Sequence, residues 1–208
     1  MKWNEHLDLK DKHAFMSPSQ PYWLTDTKEE LLNRFYNSYQ AAALGDAMHE
    51  LAKELIMNGI KLNQTDKHLV TYGLRSKGFH GQIDAEACLL TLLPYVNDAI
   101  GYRMTPEVPL KYSDYAFGTT DAIAFDPMTS FLRIHDLKTG ASKPKIEQLL
   151  LYEAYFLLEY DIKPRDIQSE LRIYQRGVVT TFNPTIEEAT AIVDRVVVDN
   201  KILLKEKP

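Results

Sequence analysis

The spacing of apolar residues changes twice along this chain. From Thr27 to about Met57, positions Leu31, Phe35, Tyr39, Ala42, Gly45, His49, Ala52 and Ile56 recur at intervals of three and four, which predicts one long amphipathic helix. Thr27 with Glu30 forms a capping-box pattern at its start. Ser17-Pro18-Ser19-Gln20 shows a similar pattern with proline at the first helical position. A short helix is predicted from Asp66 to about Arg75. A longer one is predicted from Gln82 to Tyr102, where Pro94 should kink or divide it. The character then changes, and Met104 to Leu110, Ala116 to Phe125 and Phe131 to Lys138 read as three consecutive strands. A helix follows from about Pro144 to Tyr160. Glu170 to Tyr174 and Val178 to Phe182 flank Gln175-Arg176-Gly177 as a hairpin. Asn183-Pro184-Thr185, with Glu188 three residues on, starts a last helix to about Leu204.

Helices, three strands, a helix, two strands and a helix imply an α/β (α+β) fold with a central mixed sheet flanked by helices. The 208 residues suit one domain. Within it, 1–30 reads as irregular, 31–102 as mainly helical, 103–182 as the sheet core with its helix at 144–160, and 185–204 as the C-terminal helix. No internal repeat, low-complexity tract or Gly/Ser linker interrupts this organisation.

Composition narrows the function classes. A net charge of −5 argues against holding DNA by bulk electrostatics. Locally, however, Lys138, Lys143 and Lys145 form a basic stretch, and Arg172 and Arg176 follow. Cys88 is the only cysteine, which excludes a disulfide within the chain and a cysteine-built zinc or iron–sulfur centre. It reads as a buried structural thiol. No apolar run is long enough to span a membrane and no segment reads as a signal peptide, so the cytoplasm is the expected compartment.

The candidate chemistry centres on Asp121, Asp136 and Lys138. Residues two apart on a strand share a face, so Asp136 and Lys138 point the same way. The Asp126-Pro127-Met128-Thr129-Ser130 turn folds the strand of Asp121 back beside them. Two carboxylates and an ammonium at one end of a sheet suit a divalent metal beside a phosphodiester. Taken singly, each residue also has a structural explanation, which ranks ahead for Asp121 and His49. Asp121 serves as a salt bridge or turn cap, Asp136-x-Lys138 as a surface ion pair, and His49 as a core histidine. Gln148 and Tyr152, one helical turn apart, serve as the polar border of an amphipathic helix. The glycine-rich loop of a P-loop is missing around Asp136-Leu137-Lys138-Thr139-Gly140, and no serine sits in a Gly-x-Ser-x-Gly elbow.

Together, Gly45-x-x-x-His49, Gly118-Thr119-x-Asp121, Asp136-Leu137-Lys138-Thr139-Gly140 and Gln148-x-x-x-Tyr152 occur in an order that resembles the motif series of the RecB-like branch of the PD-(D/E)XK nucleases. Lys12-His13-Ala14-Phe15-Met16-Ser17-Pro18-Ser19, with Trp23, resembles a phage-associated group of RecB-like proteins. The resemblance implies a restriction-endonuclease-like αβββαβ core and a DNA exonuclease of phage recombination or processing. It implies Mg²⁺ or Mn²⁺, one or two ions, held by His49, Asp121, Asp136 and the Leu137 carbonyl. Asp121, Asp136, Lys138, Gln148 and Tyr152 would be catalytic, and Glu107 a further ligand. DNA is the implied substrate, and a recombinase or single-strand-binding protein the implied kind of partner. Unlike cluster-bearing relatives, this chain has no cysteines for an iron–sulfur cluster. The rival readings are a non-catalytic nucleic-acid- or protein-binding module retaining the fold, and hydrolysis of a small phosphoester.

Overall fold

The computed structural model describes residues 15, 16, 18, 21–140 and 143–206. Ser17, Ser19 and Gln20 of the first predicted cap, and most of the Lys12–Ser19 segment, lie outside the described residues. The chain falls into two compact units, Met1–Ala43 and Leu44–Pro208. The single domain expected over 1–208 therefore has its sheet entirely in the second. Among the described residues no helix is long and apolar enough to cross a membrane.

Helix α1 (Lys28–Met57) begins where Glu30 accepts from the Thr27 amide at 2.8 Å and the Glu30 amide donates back to Thr27 Oγ1. In the first unit, Arg34 holds Asp26 through two hydrogen bonds of 2.7 Å. The predicted apolar stripe is buried only from Gly45 onward; Phe35 and Tyr39 are exposed. Helices α2 (Lys67–Ser76) and α3 (Ala85–Gly101) follow. Pro94 lies inside α3 and does not divide it. Leu92, Tyr95, Val96 and Ala99 are all buried around it, so tertiary packing holds the helix through the missing hydrogen bond. Asp84 caps α3, its carboxylate accepting from the Ala87 amide.

The sheet runs in the order β1 (Thr105–Ser113), β2 (Ala116–Asp126), β3 (Phe131–Lys138), β4 (Gln168–Gln175), β5 (Val178–Phe182). All neighbours are antiparallel except β3 and β4, which α4 (Glu147–Glu159) joins as a parallel crossover. The predicted mixed sheet is thus present, with strands beginning and ending within a few residues of their expected bounds. One face buries Ile134, Leu171 and Ile173 against Leu149, Leu150 and Phe156 of α4. The other packs on α3, where Tyr95 meets Tyr174 edge-on at 5.4 Å. Helix α5 (Ile186–Lys205) starts at a complete Thr185/Glu188 capping box and packs on α4.

The β4–β5 turn places Arg176 at φ 50° and Gly177 at φ 77°, the left-handed pair that a two-residue hairpin requires. A Cβ on Gly177 would sit 2.6 Å from Leu90 Cγ. Gly177→Ala is expected to lower stability by about 1–2 kcal/mol through the left-handed backbone, seen as a lower urea midpoint with an unchanged slope.

Candidate active site

The β2–β3 ladder ends at Ala122 opposite His135. One step further Asp121 falls opposite Asp136, and here a side chain replaces the backbone partner. The Leu137 amide donates to Asp121 Oδ2 at 2.7 Å. Asp136 is buried, at 2% exposure, and shares its face of β3 with Lys138. The Lys138 ammonium lies 3.0 Å from both Asp136 oxygens. Its direction satisfies only Oδ1 as a hydrogen bond, leaving the buried Oδ2 without one. Burial, reinforced by the charge of Asp121, pushes the Asp136 carboxyl up to about 6, against the opposing pull of Lys138 and His49.

His49 reaches this pair from α1, with Nδ1 3.5 Å from Asp121 Oδ1. Burial disfavours its charged form, but the hydrogen bond and charge of Asp121 and the charge of Asp136 outweigh it and raise the imidazole above its ordinary value. One turn earlier, a Cβ on Gly45 would stand 2.8 Å from Thr139 Oγ1, so the glycine permits the helix to approach the end of β3. Gly118 plays the same part opposite α4, since a Cβ there would lie 2.9 Å from Tyr152 Cε1. Lys138 also donates to Gln148 Oε1 at 2.8 Å, and Gln148 Nε2 donates to the Tyr152 hydroxyl at 3.4 Å. Two linked groups result: His49–Asp121–Leu137 amide, and Asp136–Lys138–Gln148–Tyr152. They meet at the two facing aspartates.

Glu107 is held beside this site by an ion pair with Lys53, one helical turn beyond His49. Its φ of 51° interrupts the pairing of β1 opposite Asp121. Of three other side chains, Tyr95 and His135 carried no signal in the sequence, whereas Thr139 is part of the Asp136–Gly140 motif. Tyr95 reads as core of an apolar helix, yet its hydroxyl pKa is raised, first by burial and then by the charges of Asp121 and Asp136. Thr139 touches Gly45. His135, on the opposite face of β3, lies in a cluster with Tyr174, Asp98 and Arg172. Tyr174 gives its one proton to Asp98 at 2.7 Å, so His135 Nδ1–H donates to the phenolic oxygen and Nε2 stays bare. Burial, with Arg172 and Arg133 nearby, lowers His135 to about 3, and the imidazole is neutral. Cys88 is buried, as expected, and burial raises its thiol to about 11.

Among the described residues no group of three or more His, Cys, Asp or Glu side chains is set to hold a metal ion. The donor chemistry nevertheless fits a hard divalent cation. Two carboxylates face one another, one of them with a buried oxygen that lacks a hydrogen bond and a proton affinity raised first by burial and then by its neighbour's charge. A cation that keeps several waters needs few protein ligands and relieves that repulsion.

No family model matches the chain, and no curated protein and no solved structure matches it.

Proposed function

We propose that this protein is a Mg²⁺- or Mn²⁺-dependent deoxyribonuclease of the RecB-like PD-(D/E)XK kind, an exonuclease acting in phage DNA recombination or processing. The observation that carries the proposal is the convergence of His49, Asp121, Asp136, Lys138, Gln148 and Tyr152 from four elements, α1, β2, β3 and α4. The αβββα order of elements, with β4 parallel to β3, supports the same reading.

His49, Asp121, Asp136 and the Leu137 carbonyl would hold the ion or ions, with Glu107 as a further carboxylate. When bound, the metal supplies acidity to a water and neutralises charge on the phosphoryl oxygens. Lys138 has an ammonium that already bridges a carboxylate and an amide, and it can donate to a phosphoryl oxygen as charge builds there. Gln148 accepts from Lys138 and donates to the Tyr152 hydroxyl, which links the lysine's position to that of the phenol. The Leu137 amide fixes Asp121.

A second reading, a non-catalytic nucleic-acid- or protein-binding module with the same fold, is favoured by the lack of a closed three-ligand group among the described residues. Calorimetric titration with Mn²⁺ separates the two. The nuclease reading predicts binding that Asp121→Asn weakens at least about tenfold, as expected for loss of a metal's carboxylate contact. No binding to the wild-type chain, together with unchanged stability of Asp121→Asn, favours the module.

A further inference from the structure

A cleft of about 780 Å³ opens beside the candidate site. Ile146 and Val178 give it an apolar floor above the buried Ile173, and Lys143, Lys145 and Arg176 line it with positive charge. Across the parallel ladder Ile173 pairs with Asp136 and Gln175 with Lys138. Residues in register on neighbouring strands share a face, so the cleft begins one strand spacing, about 5 Å, from the carboxylate site. On α4, Glu147 lines the cleft and the next residue, Gln148, belongs to the site. Gln175 Nε2 donates to the Gly140 carbonyl at 2.7 Å, tying the chain after Lys138 to the same border.

The charge here runs against that of the whole chain, which is −5. Lys143, Lys145 and Arg176 are exposed, and Glu147 is the one carboxylate among the lining residues. Among the described residues none of the three cations has an ion-pair partner. Unpaired cations around an apolar floor match a ligand that offers both phosphates and flat apolar faces.

We infer that this cleft binds a single nucleic-acid strand where it enters or leaves the candidate site. Lys143, Lys145 and Arg176 take the phosphates, and base faces lie on Ile146 and Val178. A duplex turns its phosphates outward and hides its base faces in the stack, so it would leave the apolar floor unused. A single strand uses both surfaces. The inference rests on the nuclease reading for its connection to the site, although the binding itself needs no metal.

The test is fluorescence anisotropy with a short labelled single-stranded oligodeoxynucleotide in EDTA, where cleavage cannot consume the probe. The triple variant Lys143→Gln, Lys145→Gln, Arg176→Asn removes the charges, and asparagine tolerates the left-handed backbone of the turn. Its fold is checked by circular dichroism. Expected are a dissociation constant raised about tenfold or more and a log–log salt slope reduced by about 2. Lys143→Arg with Lys145→Arg should keep wild-type binding. Wild-type affinity in the triple variant, no binding by the wild type, or equal binding of duplex through these residues would overturn the inference. The two readings fail separately. Cleavage by a wild type whose triple variant binds and cleaves equally well removes the cleft alone. Binding through these residues without cleavage in Mg²⁺ or Mn²⁺ removes the nuclease alone.

Discussion

Asp136→Asn is expected to abolish DNA cleavage while making the protein more stable at pH 8. The activity loss, on the order of 10³-fold or more, follows from removing the charge on the buried member of the carboxylate pair. The stability gain follows from the same burial. Asp136 titrates at about 6 rather than 3.8, so the folded state binds its proton more tightly than the unfolded state does. Stability from this group is full below 3.8 and is lost as pH rises through about 6. The separation corresponds to about 3 kcal/mol. Asparagine removes that penalty but weakens the contact with Lys138, leaving a net gain of about 1–3 kcal/mol at pH 8. Urea unfolding of both proteins between pH 4 and 8 measures it. The wild-type curve should fall through this window, and the variant's should be flatter.

His49 adds to the wild-type trend at higher pH. Its folded value is raised, so its contribution is present below 6.5 and is lost as pH rises through the folded value. With Asp121, Lys138 and His49 facing Asp136, the site is therefore at its least stable when Asp136 is ionised and the imidazole neutral. A buried carboxylate kept beside a second, partly exposed one costs stability under those conditions, as the nuclease reading expects of residues retained for chemistry.

Lys138→Ala is expected to remove activity as well, by about 10²–10³-fold, the loss typical of one donor to a developing charge. Its effect on stability should run the other way. The ammonium is the cation that opposes the rise of Asp136 through both its charge and its hydrogen bond. Without it the Asp136 carboxylate is buried uncompensated, and Gln148 loses the donor to its Oε1. A loss of about 1–3 kcal/mol at pH 8 is expected, below the range for a fully buried pair because the lysine side chain is 29% exposed. In the Asp136→Asn background the same substitution should cost much less, because no buried charge remains. The difference between the two backgrounds is the coupling energy of the pair. Two inactive variants with opposite stability changes would separate chemical loss from unfolding.

Local rules made much of the fold legible. Thr27/Glu30 and Thr185/Glu188 marked helix starts because capping is a local hydrogen-bond exchange. Arg176-Gly177 marked the hairpin because its left-handed angles are a property of the turn. Pro94 did not divide α3, because the loss of one backbone hydrogen bond is local, whereas the packing that holds the helix together comes from distant residues. Phe35 and Tyr39 fitted the spacing of α1 and yet are exposed, since periodicity shows that one face of a helix is apolar and not what covers it.

The candidate site divides along the same line. Strand parity placed Asp136 beside Lys138, and helical spacing placed Gln148 beside Tyr152. That Asp121 faces Asp136 depends on the register of β2 against β3, which the short turn set. Tyr95 near the carboxylates, the left-handed Glu107 and the bare nitrogen of His135 all arise from elements meeting across the sheet. No local pattern encodes them. The glycines are intermediate. Gly45 and Gly118 were visible as parts of a motif series, but their physical role, admitting Thr139 and Tyr152, needed the packed structure.

The nuclease proposal requires the facing aspartates and Lys138 to cleave phosphodiester bonds with a divalent metal. The most direct measurement is cleavage of end-labelled DNA by the purified chain in Mg²⁺ or Mn²⁺, alongside EDTA and the folded Asp136→Asn and Lys138→Ala variants. Metal-dependent degradation by the wild type, lost in EDTA and in both variants, is predicted. Degradation that persists in EDTA or in either variant, or no cleavage by the wild type with either metal, would contradict it.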